Sequence, residues 1–275
     1  MSQLSWVLLA YRKQWSAPKL GATLVYLSLI FYGFLHGSPV LAQQKELRIA
    51  AAADLQPVMP ALQEAYQKAT GIKLVVSFGS SSMLAEQIVN GAPMDLFLGA
   101  DFTYPEKVIA AGLADGKTPT RYAKGALVLW ARKDSPLQPI SMETLTDPRV
   151  QSIAIANELH APYGRAAAAA LRKLNLYDKV SPHLVVAENI AQAAQFAESG
   201  NAQLGLISLT AASSQHFQDV GTFVRVPTNL YPEILQYAVV MAKSERKAEA
   251  HAFLDWLLTS SVQENLGKHG LGAVK

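Results

Sequence analysis

Short apolar segments alternate with helix-forming segments along most of the chain, and this alternation constrains the fold more than any other feature of the sequence. Strands joined by helices in this order form parallel-type sheets through right-handed crossovers, with helices on both faces. We expect two such sheets, because about ten strands exceed one compact unit. The predicted strands lie at 47–52, 72–78, 95–99, 126–131, 153–156, 184–187, 204–208 and 237–241. The predicted helices lie at 54–69, 105–111, 165–174, 189–198 and 248–258, and a further helix follows residues 79–82 and ends at 90–91.

The first 42 residues have the pattern of an export signal. Arg12, Lys13 and Lys19 precede an apolar run at 20–35, and no acidic residue occurs in this segment. Val40 and Ala42 then occupy the −3 and −1 positions that a signal peptidase recognises, so cleavage is predicted after Ala42. The apolar run is shorter than the roughly 20 residues that span a membrane. We therefore expect a cleavable signal peptide and a periplasmic protein; an uncleaved N-terminal anchor is the alternative.

Composition excludes several functional classes. Removing residues 1–42 takes away three of the 24 basic residues and none of the 21 acidic ones, so 21 of each remain. A chain with equal numbers of basic and acidic residues lacks the excess of lysine and arginine that is typical of nucleic-acid-binding proteins. The 50% apolar content excludes disorder. The sequence has no cysteine, which excludes disulfides, thiolate metal sites and a lipid anchor on cysteine.

Four strand-to-helix junctions carry small or helix-capping residues, two in each half of the chain, at 53–54, 79–82, 162–165 and 188–190. In open α/β sheets, ligands bind outside the carboxyl ends of the strands, where helix N-termini present unpaired N–H groups and a partial positive charge. Two lobes that faced each other through these ends would surround a small anion. Ordinary helix capping without a ligand is the competing interpretation.

Six segments of the sequence carry a family resemblance: AAADL (51–55), FGSSSMLAEQI (78–88), NGAPMDLFLGAD (90–101), HAPYGRAA (160–167), LGLIS (204–208) and KHGL (268–271). With them the chain resembles the periplasmic molybdate-binding proteins of ATP-driven (ABC) importers. The resemblance implies a two-lobed α/β periplasmic binding protein fold of class II, whose two parallel-type sheets are joined by two crossing strands. Lobe 1 would comprise residues 43–125 and 238–275, and lobe 2 residues 126–237.

In that family, hydroxyls and main-chain N–H groups hold a tetrahedral oxyanion without a counter-charge. Carried over position by position, the resemblance implies a ligand-binding set with no catalytic residue and no direct metal ligand: Asp54, Ser81, Tyr163, Ile190 and Ser208. Ser208 replaces a tyrosine hydroxyl of the family with a shorter one, which would need a water or another donor, such as the phenol of Tyr163 or of Tyr237.

Asp54 is the sharpest departure, because the family's better-known members have serine there. An ionised carboxylate only accepts hydrogen bonds, as does molybdate. The favoured interpretation is that Asp54 caps its own helix and offers only its N–H to the ligand. In the alternative, Asp54 accepts a proton from a protonated oxyanion such as hydrogen phosphate.

The sequence thus predicts a solute-binding protein that captures molybdate or tungstate and delivers it to a membrane permease, closing about hinges near Gly125 and Tyr237. We expect a monomer without a cofactor. An enzyme is disfavoured, because the serines at 80–82 lack a G-x-S-x-G frame and no P-loop or dinucleotide fingerprint occurs. A ligand-sensing domain of a regulator is a third possibility, which the export signal disfavours.

Overall fold

The computed structural model describes residues 45–274, so the predicted signal peptide at 1–42 lies outside the described residues. Ten strands occur in the described range: β1 Glu46–Ala52, β2 Lys73–Gly79, β3 Leu96–Gly99, β4 Thr120–Gly125, β5 Leu127–Arg132, β6 Ile153–Ala156, β7 Leu184–Ala187, β8 Leu204–Ser208, β9 Gly221–Arg225 and β10 Ile234–Val240. The α-helices there are α1 Met59–Thr70, α2 Ser81–Val89, α3 Thr103–Ala110, α4 Pro162–Lys173, α5 Tyr177–Val180, α6 Ile190–Glu198, α7 Leu209–Ala212, α8 Gln215–Val220, α9 Lys247–Leu257 and α10 Ser260–Lys268.

The strands form two five-stranded sheets, in the orders β2-β1-β3-β10-β4 and β7-β6-β8-β5-β9. We call the first sheet with its helices lobe 1 and the second lobe 2. In lobe 1, β1 is parallel to β2 and β3, whereas β10 runs antiparallel to β3 and β4. In lobe 2, β6 is parallel to β7 and β8, whereas β5 runs antiparallel to β8 and β9. The two-lobed α/β fold is confirmed, with mixed sheets in which β5 and β10 are the reversed strands.

The chain crosses between the lobes twice. Only Ala126 separates β4 in lobe 1 from β5 in lobe 2, and residues 226–233 lead from β9 back to β10. The two crossings are joined where the N–H of Leu127 donates to the phenol oxygen of Tyr231 at 3.1 Å. Short paired crossings of this kind allow one lobe to rotate against the other while each sheet stays intact.

Each sheet is covered by helices on both faces. In lobe 1, Phe253 and Leu266 of the C-terminal helices pack on one face, and Leu84 and Val108 on the other. Lobe 2 has the same arrangement, with α4 on one side of the sheet and Trp130 covered by Phe217 on the other. Within the described range, no helix combines the length and apolarity that crossing a membrane requires.

The helix predicted to begin at Asp54 begins later. Residues Ala53–Leu55 form a 3₁₀ turn, and α1 starts only at Met59 with Pro60 in its first turn. Gln56 has helical dihedrals, but Pro57 has no N–H to donate to the carbonyl of Ala53, so the regular hydrogen-bond pattern of a helix is interrupted here. The consequence is that Asp54 sits in a tight turn after β1.

The strands β4 and β9 were not predicted, and both lie at the edge of their sheet. The charged residues Arg121 and Lys124 interrupt the apolar pattern of β4, and β9 begins with a glycine. An edge strand needs only one partner and tolerates charge, so its hydrophobic signal is weak. The C-terminal helix α10 was also missed.

Two glycines provide a matched test of this packing. A Cβ on Gly221 would lie 1.9 Å from Cζ2 of the buried Trp130, whereas a Cβ on the exposed Gly267 of α10 would have no atom within 4 Å. Gly221→Ala should lower the free energy of unfolding by about 1–3 kcal/mol through overpacking. Gly267→Ala should raise it by up to about 1 kcal/mol through helix propensity. Urea unfolding of both variants measures this, and equal effects would contradict the packing around Trp130.

Candidate functional site

The four predicted junctions meet at one cleft between the lobes. Lobe 1 contributes the turn after β1, the end of β2 with the start of α2, and the residue after β3; lobe 2 contributes the starts of α4 and α6. The residues that line this narrow cleft are Ala52, Ala53, Asp54, Gly79, Ser80, Ser81, Ala100, Ala161, Pro162, Tyr163, Asn189 and Ile190. The prediction that the junctions of the two halves face each other is thereby confirmed.

The start of α2 brings hydroxyl groups to the cleft. Ser80 is the N-cap, and its Oγ accepts from the N–H of Met83 at 3.4 Å. Ser81 is 1% exposed, and its Oγ accepts from the N–H of Ala100 at 3.0 Å. A hydroxyl that accepts one hydrogen bond can still donate its own proton. Ser81 is therefore oriented by β3 and retains a donor for a ligand.

The starts of α4 and α6 face the cleft from lobe 2. Asn189 caps α6 by accepting from the N–H of Gln192 at 3.0 Å, and Ile190 follows it. In α4, Pro162 occupies the first turn, and Gly164 lies so close to the backbone of Asn157 that a Cβ would be 2.6 Å from its carbonyl carbon. Each helix N-terminus presents free N–H groups and roughly half a positive charge. Tyr163 and Ile190 thus lie where their main-chain N–H groups could serve an anion.

Asp54 does not cap a helix, so the capping part of the favoured interpretation is wrong, whereas a hydrogen bond from its N–H to a ligand stays a prediction. Its side chain makes no cap hydrogen bond; instead Oδ2 accepts from the Tyr163 phenol of lobe 2 at 3.0 Å and from Nε2 of Gln236 on β10. Its Oδ1 has no hydrogen-bond partner among residues 45–274. The residue is 1% exposed, because the 3₁₀ turn directs it into the interface between the lobes.

The electrostatics of the cleft follow from this burial. Desolvation raises the pKa of the Asp54 carboxyl from 3.8 to about 6, although the hydrogen bonds from Gln236 and Tyr163 lower it. Burial, followed by the nearby Asp54 charge, raises the pKa of Tyr163 and Tyr122 well above the ordinary value of a phenol. Among the described residues that line the cleft there is no lysine, arginine or histidine. Any anion here would be held by dipoles and hydroxyls.

Four of the five predicted site residues line the cleft, and Ser208 does not. Its Oγ lies 2.9 Å from the hydroxyl oxygen of Thr210, to which it can donate, and it accepts from the N–H of Ala211 at 3.2 Å, which caps α7. Of the two tyrosines considered as a phenol source, Tyr163 is at the cleft and donates to Asp54. Tyr237 packs edge-on against Phe102 at 5.4 Å. Ligand contact by any of these residues stays a prediction.

The lobes are closed on each other through contacts that the sequence did not suggest. Arg165 of α4 forms an ion pair with Asp101, which follows β3, and lies 5.5 Å from the ring centre of Tyr104. The phenol of Tyr104 donates to the carbonyl of Leu159 at 3.2 Å. The N–H of Ser82 donates to the carbonyl of His160 at 3.4 Å.

Thr210 of lobe 2 and Gln236 of lobe 1 also contact Asp54. The Thr210 hydroxyl donates to the Asp54 carbonyl at 2.7 Å, and Gln236 reaches Asp54 from the crossing strand β10. Sequence reasoning missed both, because nothing in a local pattern marks a partner more than 150 residues away. Within the described range, no cluster of three or more histidine or acidic residues could hold a metal ion.

Comparison with known proteins agrees with this geometry. Residues 47–272 match the family model described as bacterial extracellular solute-binding protein. The molybdate-binding protein ModA of Azotobacter vinelandii is 36% identical over 231 residues, which cover 84% of this chain and 91% of that protein. The molybdate-binding protein ModA of Escherichia coli is 30% identical over 235 residues, covering 84% and 90%.

Solved structures show the same relationship. The periplasmic molybdate-binding protein of Azotobacter vinelandii superposes with a TM-score of 0.77 at 32% identity, covering 83% of this chain and all of that one. The sulfate-binding protein SubI of Mycobacterium tuberculosis, at a TM-score of 0.72 and 17% identity, shares the fold. The family match over most of the chain and the two-lobed cleft agree: this chain belongs to the bacterial extracellular solute-binding proteins.

Proposed function

We propose that this protein captures molybdate or tungstate in the periplasm and delivers the oxyanion to the membrane permease of an ABC importer. The observation that carries the proposal is a buried cleft, free of cationic side chains, in which helix N-termini of both lobes face one another. N–H groups and hydroxyls donate hydrogen bonds, and a fully deprotonated tetrahedral anion has only acceptors, so the two are complementary. The relatives named as molybdate-binding proteins identify the class of anion.

The site in this proposal comprises Asp54, Ser81, Tyr163, Ile190 and Ser208. Ser81 donates its hydroxyl, and Tyr163 and Ile190 donate main-chain N–H groups from the first turns of α4 and α6. Ser208 lies one step behind the cleft, where its hydroxyl bonds Thr210. Binding hydrogen phosphate, with Asp54 as proton acceptor, is not favoured, because the relatives at 30–36% identity are named for molybdate.

The mechanism in this proposal is capture by closure, with no bond made or broken and no cofactor. The lobes, predicted at 43–125 with 238–275 and at 126–237, rotate about the crossings at Ala126 and 226–233, and the whole of β10 moves with lobe 1. Ligand contacts from both lobes favour the closed state, and the permease recognises that state. The carrier acts as a monomer, and nucleic acid is not a partner.

The N-terminal segment in this proposal is a signal peptide removed after Ala42. Mass spectrometry of the protein recovered from the periplasm should find Gln43 as the first residue. Recovery of the intact N-terminus in the membrane fraction would show an uncleaved anchor instead.

Ligand identity can be read from thermal unfolding in a panel of oxyanions. Molybdate and tungstate at about a hundred times Kd should stabilise the protein by about 3 kcal/mol, which corresponds to roughly 5–10 °C in Tm. Sulfate and phosphate, whose bonds to oxygen are shorter, should give much smaller shifts. A phosphate shift as large as that of molybdate would contradict the proposed ligand class.

Ser81 offers a variant that tests the site itself. Removing its hydroxyl deletes one hydrogen bond to a charged ligand, so Ser81→Ala should raise Kd for molybdate by about 10–100-fold. Ser77→Ala, which removes an exposed hydroxyl from the neighbouring strand β2, is the matched control and should leave Kd unchanged. Isothermal titration calorimetry measures both, and equal affinities would remove Ser81 from the site.

The ion pair between Arg165 and Asp101 should support closure, because it joins α4 of lobe 2 to lobe 1. Arg165→Gln should weaken molybdate binding by about fivefold, since partly exposed pairs contribute up to about 1 kcal/mol. The control is Arg172→Gln on the same helix, whose partner Glu158 lies in the same lobe. Equal losses in titrations of the two variants would show that the pair between the lobes does not contribute to closure.

A further inference from the structure

The environment of Asp54 contains more hydrogen-bond acceptors than donors. Its Oδ2 accepts from Tyr163 and Gln236, while its Oδ1 and the Oε1 of Gln236 both lack a partner among residues 45–274. Both side chains are at most 1% exposed. Buried acceptors without donors are costly, and one extra proton at this position would turn an acceptor into a donor.

Among residues 45–274, no cationic side chain contributes to the pKa of Asp54 or lines the cleft. The elements packed around it contribute Tyr163 from α4, Tyr122 from β4 and Gln236 from β10, and none of these side chains is basic. Asp101 and Arg165, which join the two lobes near the start of α4, form an ion pair with each other. A dianion that entered this cleft would therefore meet a buried carboxylate with no counter-charge, and repulsion in a desolvated site is strong.

We propose that Asp54 carries a proton whenever the lobes are closed on the oxyanion, so that capture takes up one proton and release returns it. This inference rests on the proposed function. The protonated carboxyl offers an O–H donor to a ligand that can only accept, and it removes the repulsion between two anions. Asp54 thereby becomes the residue that selects for a fully deprotonated oxyanion.

Proton uptake is linked to closure by the position of the partners. Tyr163 belongs to lobe 2 and Asp54 to lobe 1, so opening separates them and returns the carboxyl to water. Burial already raises the pKa of Asp54 to about 6 in the closed lobes, and a dianion in the cleft raises it further. In the open carrier at neutral pH the group is ionised.

The affinity for the oxyanion depends on pH, and its direction is set by the proton that binds with the ligand. Because the liganded state binds one proton more than the open state, affinity rises as pH falls. Between the pKa of Asp54 in the open carrier and its pKa in the liganded state, Kd for molybdate should increase about tenfold per pH unit, and it should be constant below the first value and above the second. A site without such linkage would show constant affinity across this range.

The test is calorimetric titration of the whole exported protein with micromolar molybdate, and in parallel tungstate, between about pH 6 and pH 8.5. Each pH is measured in two buffers of different ionisation enthalpy, which gives the number of protons taken up. The wild type should take up about one proton per oxyanion at pH 7.5. Asp54→Asn should take up none and bind with a pH-independent Kd; the exposed Asp115→Asn should behave as the wild type.

The calorimetric results distinguish a failure of proton uptake by Asp54 from a failure of oxyanion binding. Tight molybdate binding with constant Kd and no proton uptake in the wild type overturns the inference and leaves the function standing. Persistent uptake in Asp54→Asn, or in Asp54→Ser if the amide variant does not fold, also overturns it. A folded wild type that binds no oxyanion at any pH overturns the proposed function and the inference with it.

Discussion

The site depends on one geometric constraint: in each lobe, the carboxyl ends of the parallel strands face the other lobe. β1 and β2 end at the cleft in lobe 1, and the turns after β6 and β7 reach it from lobe 2. The helices α2, α4 and α6, which follow β2, β6 and β7, begin there, so their unpaired N–H groups and the positive ends of their dipoles point into the same space. The two crossings keep these ends opposed while the lobes rotate.

This constraint explains how residues 43–275, which contain 21 basic and 21 acidic residues, can attract an anion. Three helix N-termini and the 3₁₀ turn supply fixed partial charges at no cost in side-chain entropy. A lysine or arginine in the cleft would bind anions more strongly, but it would also accept many other anionic solutes. Dipoles and hydroxyls of fixed position discriminate by the shape of the ligand, because a tetrahedral ion of the wrong size leaves some of the donors unpaired.

Much of the cleft was predictable from the sequence because its signals are local. The sequence at 79–82 marks the start of α2, and the asparagine at 189 marks the start of α6; the structure places Ser80 and Asn189 as N-caps there. The rest depends on distant partners. Asp54 looks like a cap residue, yet its partners are Tyr163 and Gln236, which lie 109 and 182 residues away in the chain. Tertiary packing decides between such alternatives, and capping propensity does not.

The same distant contacts give the ligand-free carrier a reason to stay open. A carboxyl whose pKa rises from 3.8 to about 6 on burial is destabilised in its ionised form by about 3 kcal/mol relative to water. For this group, the closed state gains stability as pH falls from about 6 to about 4 and bears the full penalty above pH 6. At neutral pH, closing without a ligand therefore buries an uncompensated charge. Closure around a ligand must offset this penalty through the donors of both lobes, so the acid at the interface favours the open carrier until the cleft is filled.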